Sequence, residues 1–215
     1  DTLADLAWTD LAGLVALRDP DGFPAGTRAL APPSPDQLPA VWPAAREELL
    51  QQLDDAHREG RRVPWFSLPM SAASFATARL MEYWAHGEDI AHALGIRREP
   101  AARLRNVCHI GVQTIAFSFV QHGLDAPAGP VRVELAAPDG STWEWGPPDA
   151  PDRVAGPALD FALVVTQRRV AAEATALRTQ GPIAAQWLPI AQCFAGAGQV
   201  ADPDRAGLPM SAVMD

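Results

Sequence analysis

Glu82 and His86 lie four residues apart within residues 71–95, SAASFATARLMEYWAHGEDIAHALG. At about 100° per residue their side chains leave adjacent turns of a helix on the same side. A carboxylate and an imidazole so placed can do three things. With a third ligand from another helix they hold a divalent metal. Alone they serve as a general acid and base. Or they form a solvated surface with an ion pair worth about 0.2–0.5 kcal/mol. The stripe they share reads Phe75, Ala78, Arg79, Glu82, His86, Asp89 and Ala93. It mixes charges with Ala and Phe where a solvated face would be more evenly polar. Trp84 and Tyr83 sit beside it, as the walls of a pocket would, and Arg79 and Asp89 are placed to meet a substrate.

The opposite stripe, Leu80, Tyr83, Gly87, Ile90 and Leu94, is apolar with a period near 3.6, which predicts that it faces the core. Ser71 is the predicted N-cap. Upstream, residues 2–17 read as a helix with Leu3, Leu6, Ala7, Leu14 and Leu17 on one face; Asp5 lies well round from them, near Thr9 and Ala12. Residues 23–35 are rich in Pro and Gly and read as a loop or a pocket lid. A second helix is predicted over 36–59, with Pro39 in its first turn, a kink at Pro43 and a stop at Gly60. Residues 61–70 read as extended, with Trp65 and Phe66 plugging one end of a bundle.

A mostly apolar helix is predicted over 100–122. It contains His109, read either as a buried histidine bonded to a carbonyl or as a catalytic one. Composition changes after Leu124. Residues 131–135 and 142–145 alternate around the turn at Pro138-Asp139-Gly140-Ser141, a hairpin. Residues 146–156 read as a Pro-rich loop, 157–169 as a helix opened by Pro157 and closed by two Arg, and 182–195 as a last helix broken at Pro189. The predicted fold is mostly α: a helical bundle over 1–125, then a small α+β domain over 126–215 with a β-hairpin and two helices.

Of 215 residues, 48% are apolar, enough for real cores. The net charge of −9 argues against nucleic acid as a partner. No apolar run approaches the roughly 18 residues of a membrane span. All 17 basic residues are Arg, so lysine nucleophiles and Schiff bases are excluded. Cys108 and Cys193 have no metal-like spacing and read as buried thiols of a reducing cytoplasm.

The blocks LMEYWAHGEDIAHALG, CHIGVQT, DGSTWEWGP, GPALDFALVVTQRR and WLPIAQCFAG, taken in order, resemble an actinobacterial branch of the mycothiol-dependent maleylpyruvate isomerase family. The resemblance implies a DinB-like four-helix bundle whose first helix precedes residue 1, and a sterol-carrier-like second part. It also implies zinc held by a Glu-x-x-x-His pair and a His on an earlier helix, with mycothiol as thiol cofactor. Glu82 and His86 match the pair. Where the family has A-H-L-A-x-x-D this chain has LADLAWTD, so Asp5 stands at the earlier His position. Val170 stands where the family commonly has His after two Arg.

The resulting expectation is a small-molecule isomerase or cyclase, in secondary metabolism, with Asp5, Glu82 and His86 as catalytic groups. The same three would be ligands if a metal is bound. Trp8, Arg79, Trp84 and Asp89 would contact substrate. The alternatives are a mycothiol-dependent transferase or isomerase, which needs added thiol, and a non-catalytic binder of a hydrophobic ligand.

Overall fold

The computed structural model describes residues 2–66 and 69–194. They form two compact units, residues 2–82 and 83–194, with the boundary inside one helix. Among the described residues there are eight α-helices and two sheets, the mostly helical chain with a smaller α+β part that the sequence predicts.

The first unit contains α1 (Thr2–Arg18), α2 (Phe23–Ala29), α3 (Leu38–Arg58), the two-residue strands β1 (Arg62–Val63) and β2 (Met70–Ser71), and the first half of α4 (Ala72–Ala93). Leu14, Leu17, Leu49, Leu53, Val63 and Phe75 pack in one core. Gly13 lets the helices approach: a Cβ there would stand 3.0 Å from both Leu49 and Phe75. Ser71 caps α4 as predicted, its hydroxyl accepting from the Ser74 N–H at 3.1 Å. Gly60 ends α3 with φ +66°. Trp65 stacks edge-on against Phe75 and lies beside Phe66, with ring centroids 4.8 and 4.9 Å away.

Two expectations fail here. Residues 23–29 are a helix, because Pro24 sits in its first turn, where a missing N–H costs nothing. On α4 the apolar stripe is not the buried one. Leu80, Tyr83, Gly87 and Ile90 are half-buried and Leu94 is exposed, whereas Phe75 and Arg79 of the mixed stripe are buried, with Met81, Trp84 and Ala85. A charged residue can lie inside because, as shown below, its charge has a partner.

The second unit contains the rest of α4, then α5 (Leu104–Gln113), α6 (Ile115–Gln121), β3 (Val131–Ala136), β4 (Thr142–Trp145), β5 (Asp152–Pro157), α7 (Ala158–Val165), β6 (Arg178–Gln180), α8 (Pro182–Trp187) and a 3-10 turn, Leu188–Ile190. The sheet order is β4-β3-β5-β6. β3 pairs antiparallel with β4, Leu135 opposite Trp143, and parallel with β5, Val133 opposite Val154. Val133, Leu135 and Val154 are fully buried, and Phe161 of α7 meets Trp187 of α8. The Asp152 carboxylate, buried at the start of β5, accepts from the Ala184 N–H at 3.0 Å and so ties α8 to the sheet.

Four sequence expectations change in this unit. The single helix over 100–122 is two, broken at Thr114, whose hydroxyl accepts no cap but bonds back to the Ile110 and Gly111 carbonyls. Residues 152–157 are a strand, not loop, and residues 178–180 add a further strand. The helix predicted to reach Arg169 stops at Val165. His109 is exposed, and its Nδ1 accepts from the Trp145 indole at 3.2 Å, so it is not bonded to a carbonyl.

Candidate active site

In the second unit, three side chains form a relay. His86 Nδ1 lies 3.1 Å from Asp89 Oδ2, one turn along α4. Asp89 is gripped by Arg168, with Nε 3.0 Å from Oδ1 and Nη2 2.8 Å from Oδ2. This bidentate fork is the strongest geometry open to the pair. Burial by itself would raise the Asp89 pKa. The hydrogen bonds from His86 and Arg168, and the charge on both, outweigh it and hold the carboxyl at about 2. The His86 and Asp89 side chains are 15% and 23% exposed.

Arg168 reaches Asp89 because of how α7 ends. Gln167 has φ 58° and is the one non-glycine residue with positive φ among those described. The Arg168 N–H bonds to the Leu163 carbonyl at 2.8 Å and the Gln167 N–H to the Val164 carbonyl at 2.9 Å. This is a Schellman C-cap with Gln where Gly would be strain-free. Arg168 also donates from Nη1 to the Thr166 carbonyl at 2.7 Å, which orients the fork.

In the first unit, the polar core is Asp10 with Arg79. Both are buried, and Arg79 donates from Nε to Asp10 Oδ1 at 3.1 Å and from Nη2 to the Leu6 carbonyl at 3.4 Å. The Trp42 indole donates to Asp10 Oδ2 at 3.1 Å. Beside this network is a cavity of about 40 Å³ lined by Thr9, Trp65, Phe75, Ala78, Arg79 and Glu82. That volume holds little more than a water molecule.

The predicted site residues are distributed accordingly. Arg79 and Glu82 line the first unit's small cavity, and Glu82 is half-buried. Asp5, also half-buried in the first unit, accepts from the Thr9 hydroxyl through its backbone carbonyl. The Trp8 indole bonds to the Leu30 carbonyl at 2.9 Å and its ring stacks on Phe66. Trp84 is buried at the start of the second unit, and its carbonyl accepts from Arg98 at 3.0 Å. Arg98 also pairs with Glu88, whose pKa burial raises against the pull of Arg98. His86 and Asp89 are in contact. Sequence reasoning missed Asp10, Trp42 and Arg168. The two Arg at 168–169 were read as helix-dipole partners, and only the early break of α7 reveals the first of them as a clamp.

The family resemblance implies a divalent metal. A protein site for one needs about three ligands. Among the described residues no three His, Cys, Asp or Glu side chains are grouped to hold one. No step below runs through a metal.

A family model described as "Mycothiol maleylpyruvate isomerase N-terminal domain" matches residues 2–91, and one described as "Wyosine base formation" matches residues 127–178. Two proteins of Mycobacterium tuberculosis, from strains CDC 1551 / Oshkosh and ATCC 25618 / H37Rv and both described as uncharacterized, are each 46% identical over 90% of this chain and 80% of their own length. No solved structure matches. No described helix is long and apolar enough to cross a membrane. By the match over residues 2–91 its N-terminal domain belongs to the mycothiol maleylpyruvate isomerase family, and the chain as a whole is a relative of the two Mycobacterium tuberculosis proteins.

Proposed function

We propose that this chain is a small-molecule isomerase or cyclase that moves a proton through His86. The observation that carries the reading is the His86–Asp89–Arg168 relay. Asp89, with its pKa at about 2, is an anion at neutral pH and can only accept, so His86 Nδ1 carries the proton between them. That fixes the tautomer: in the neutral ring Nε2 bears the lone pair and is the basic atom. A base held by an orienting carboxylate, itself held by a third group, is the arrangement general-base catalysis uses.

His86 Nε2 takes a proton from a carbon made acidic by a neighbouring carbonyl. The proton is then delivered by the same imidazole to another atom of the same molecule. Nothing is oxidised or reduced, and the sum is an isomerisation or a ring closure. Removing such a base costs about 10²- to 10⁴-fold in rate.

The test is proton exchange. Purified protein in D₂O is incubated with maleylpyruvate and a panel of 2-keto acids and thioesters, and deuterium uptake and isomerisation are followed by NMR. Wild type exchanges at least one member, His86→Ala loses the activity, and Asp89→Asn lowers it with an altered pH profile. Absence of exchange across the panel, or a His86→Ala protein equal to wild type, overturns the reading.

The family match favours a second, finer reading: thiol-dependent isomerisation of maleylpyruvate with mycothiol. It predicts turnover only with added thiol, and the same assay run with and without mycothiol separates the two.

A further inference from the structure

The second unit holds a cavity of about 450 Å³ at the end of α7, between α6, β6 and α8, that the relay does not use. Its volume is in the range of small-molecule sites, about 300–1,000 Å³. Val164, Leu188 and Pro189 supply apolar wall, and Arg169, Gln167 and Thr179 supply polar groups. The frame is tied from three sides. The Ser118 hydroxyl of α6 accepts from the Gln192 N–H at 3.0 Å, the Cys193 N–H bonds to the Val165 carbonyl at 3.0 Å, and Asp152 holds the first turn of α8.

Two features point to a ligand. The first is Arg169, whose Nη1 pairs with Asp160. That pair fixes the guanidinium while Nε and Nη2 have no protein partner among the described residues. This Nε–Nη2 edge is the one that matches a carboxylate with two parallel bonds. The second is Gln167. A left-handed residue other than Gly is costly, and such strain persists where a side chain is needed. Gly would make the same Schellman turn without strain, and what Gln adds is a side chain on the wall of this cavity.

We infer that the cavity lined by Gln167, Arg169 and Leu188 binds a small carboxylic acid with an apolar body, its carboxylate on the Nε–Nη2 edge of Arg169 and its body against Val164, Leu188 and Pro189. The site is separate from the relay. Arg168 and Arg169 leave the same turn for different partners, Asp89 and Asp160, and Arg168 does not line the cavity.

Benzoate is the probe and benzamide its neutral isostere, titrated into the whole chain by calorimetry and by ¹H–¹⁵N NMR. Benzoate binds with millimolar affinity or better, and shifts the Thr179 and Ala185 amides. Benzamide and Arg169→Gln each weaken binding by about tenfold, the worth of a charge-assisted fork. Gln167→Gly keeps or raises the melting temperature yet weakens benzoate binding, which a purely structural glutamine would not do. Equal binding of benzoate and benzamide, shifts confined to residues 82–89, or no binding at all overturns the assignment. If Arg169→Gln fails to fold, the benzamide comparison and the Gln167→Gly variant still decide it.

Discussion

Arg168 closes on Asp89 with two nearly parallel hydrogen bonds, 3.0 and 2.8 Å long, from 79 residues away in sequence. The carboxylate so held is the partner of His86, so the tautomer of an imidazole on α4 is set by a residue beyond the end of α7.

The pair makes stability depend on pH. The Asp89 pKa is lowered from 3.8 to about 2 in the folded chain, so folding favours the ionised carboxyl. Its contribution is complete above about pH 4 and is lost as pH falls from about 4 to about 2. The carboxyl is partly exposed, and solvent screening limits the contribution to about 1 kcal/mol. Asp89→Asn lowers stability at neutral pH by that order and removes this component of the acid limb. Urea unfolding of both proteins between pH 2 and 6 checks it, with parallel curves the contrary result.

Asp10→Ala removes the carboxylate that pairs with the buried Arg79 guanidinium in the core of the first unit. Removing one member of a buried pair costs about 3–5 kcal/mol, against near neutrality when both are replaced by apolar groups. Asp10→Leu combined with Arg79→Met is therefore more stable than Asp10→Ala. Chemical denaturation of the three proteins measures the order.

Gly111 of α5 faces α7 so closely that an added Cβ would lie 2.7 Å from a Val165 methyl. Gly111→Ala destabilises by about 1–3 kcal/mol, the cost of overpacking a filled interior. Val165→Ala in the same chain recovers part of that loss, although alone it is destabilising. The double-mutant cycle, read by thermal melts, must show this opposite-sign coupling.

Cys108 is inert in the native protein. Burial pushes its thiol up to about 12, with Sγ directed at the Ala158 carbonyl at 3.5 Å. Thiolate is the reactive form. A thiol reagent at pH 8 therefore labels Cys108 only after denaturant is added, as mass mapping of the labelled peptide shows.

Much of the frame was legible locally. α3 carries a 3.6-residue pattern whose Leu38, Leu49 and Leu53 are buried, Gly60 and Ser71 mark the end of α3 and the start of α4, and the β3–β4 hairpin is announced by alternation around Asp139-Gly140. What escaped is what depends on distant partners. β5 is a strand because β3 pairs with it in parallel, some twenty residues back, while its own sequence, with Gly156 and Pro157, looks like loop. The buried face of α4 was misread because Arg79 is admitted to the core by Asp10, 69 residues earlier. Glu82, His86 and Asp89 were singled out by spacing alone; the clamp on Asp89 was not, since nothing near Arg168 names its partner.

The left-handed turn at Gln167 also bears on chain length. Arg168 and Arg169 have different tasks and differ by one position, so their roles are assigned by counting from the end of α7. One residue inserted or deleted between 165 and 168 would leave the composition intact and put the wrong guanidinium at Asp89. This turn is therefore predicted to tolerate substitution far better than any change in its number of residues.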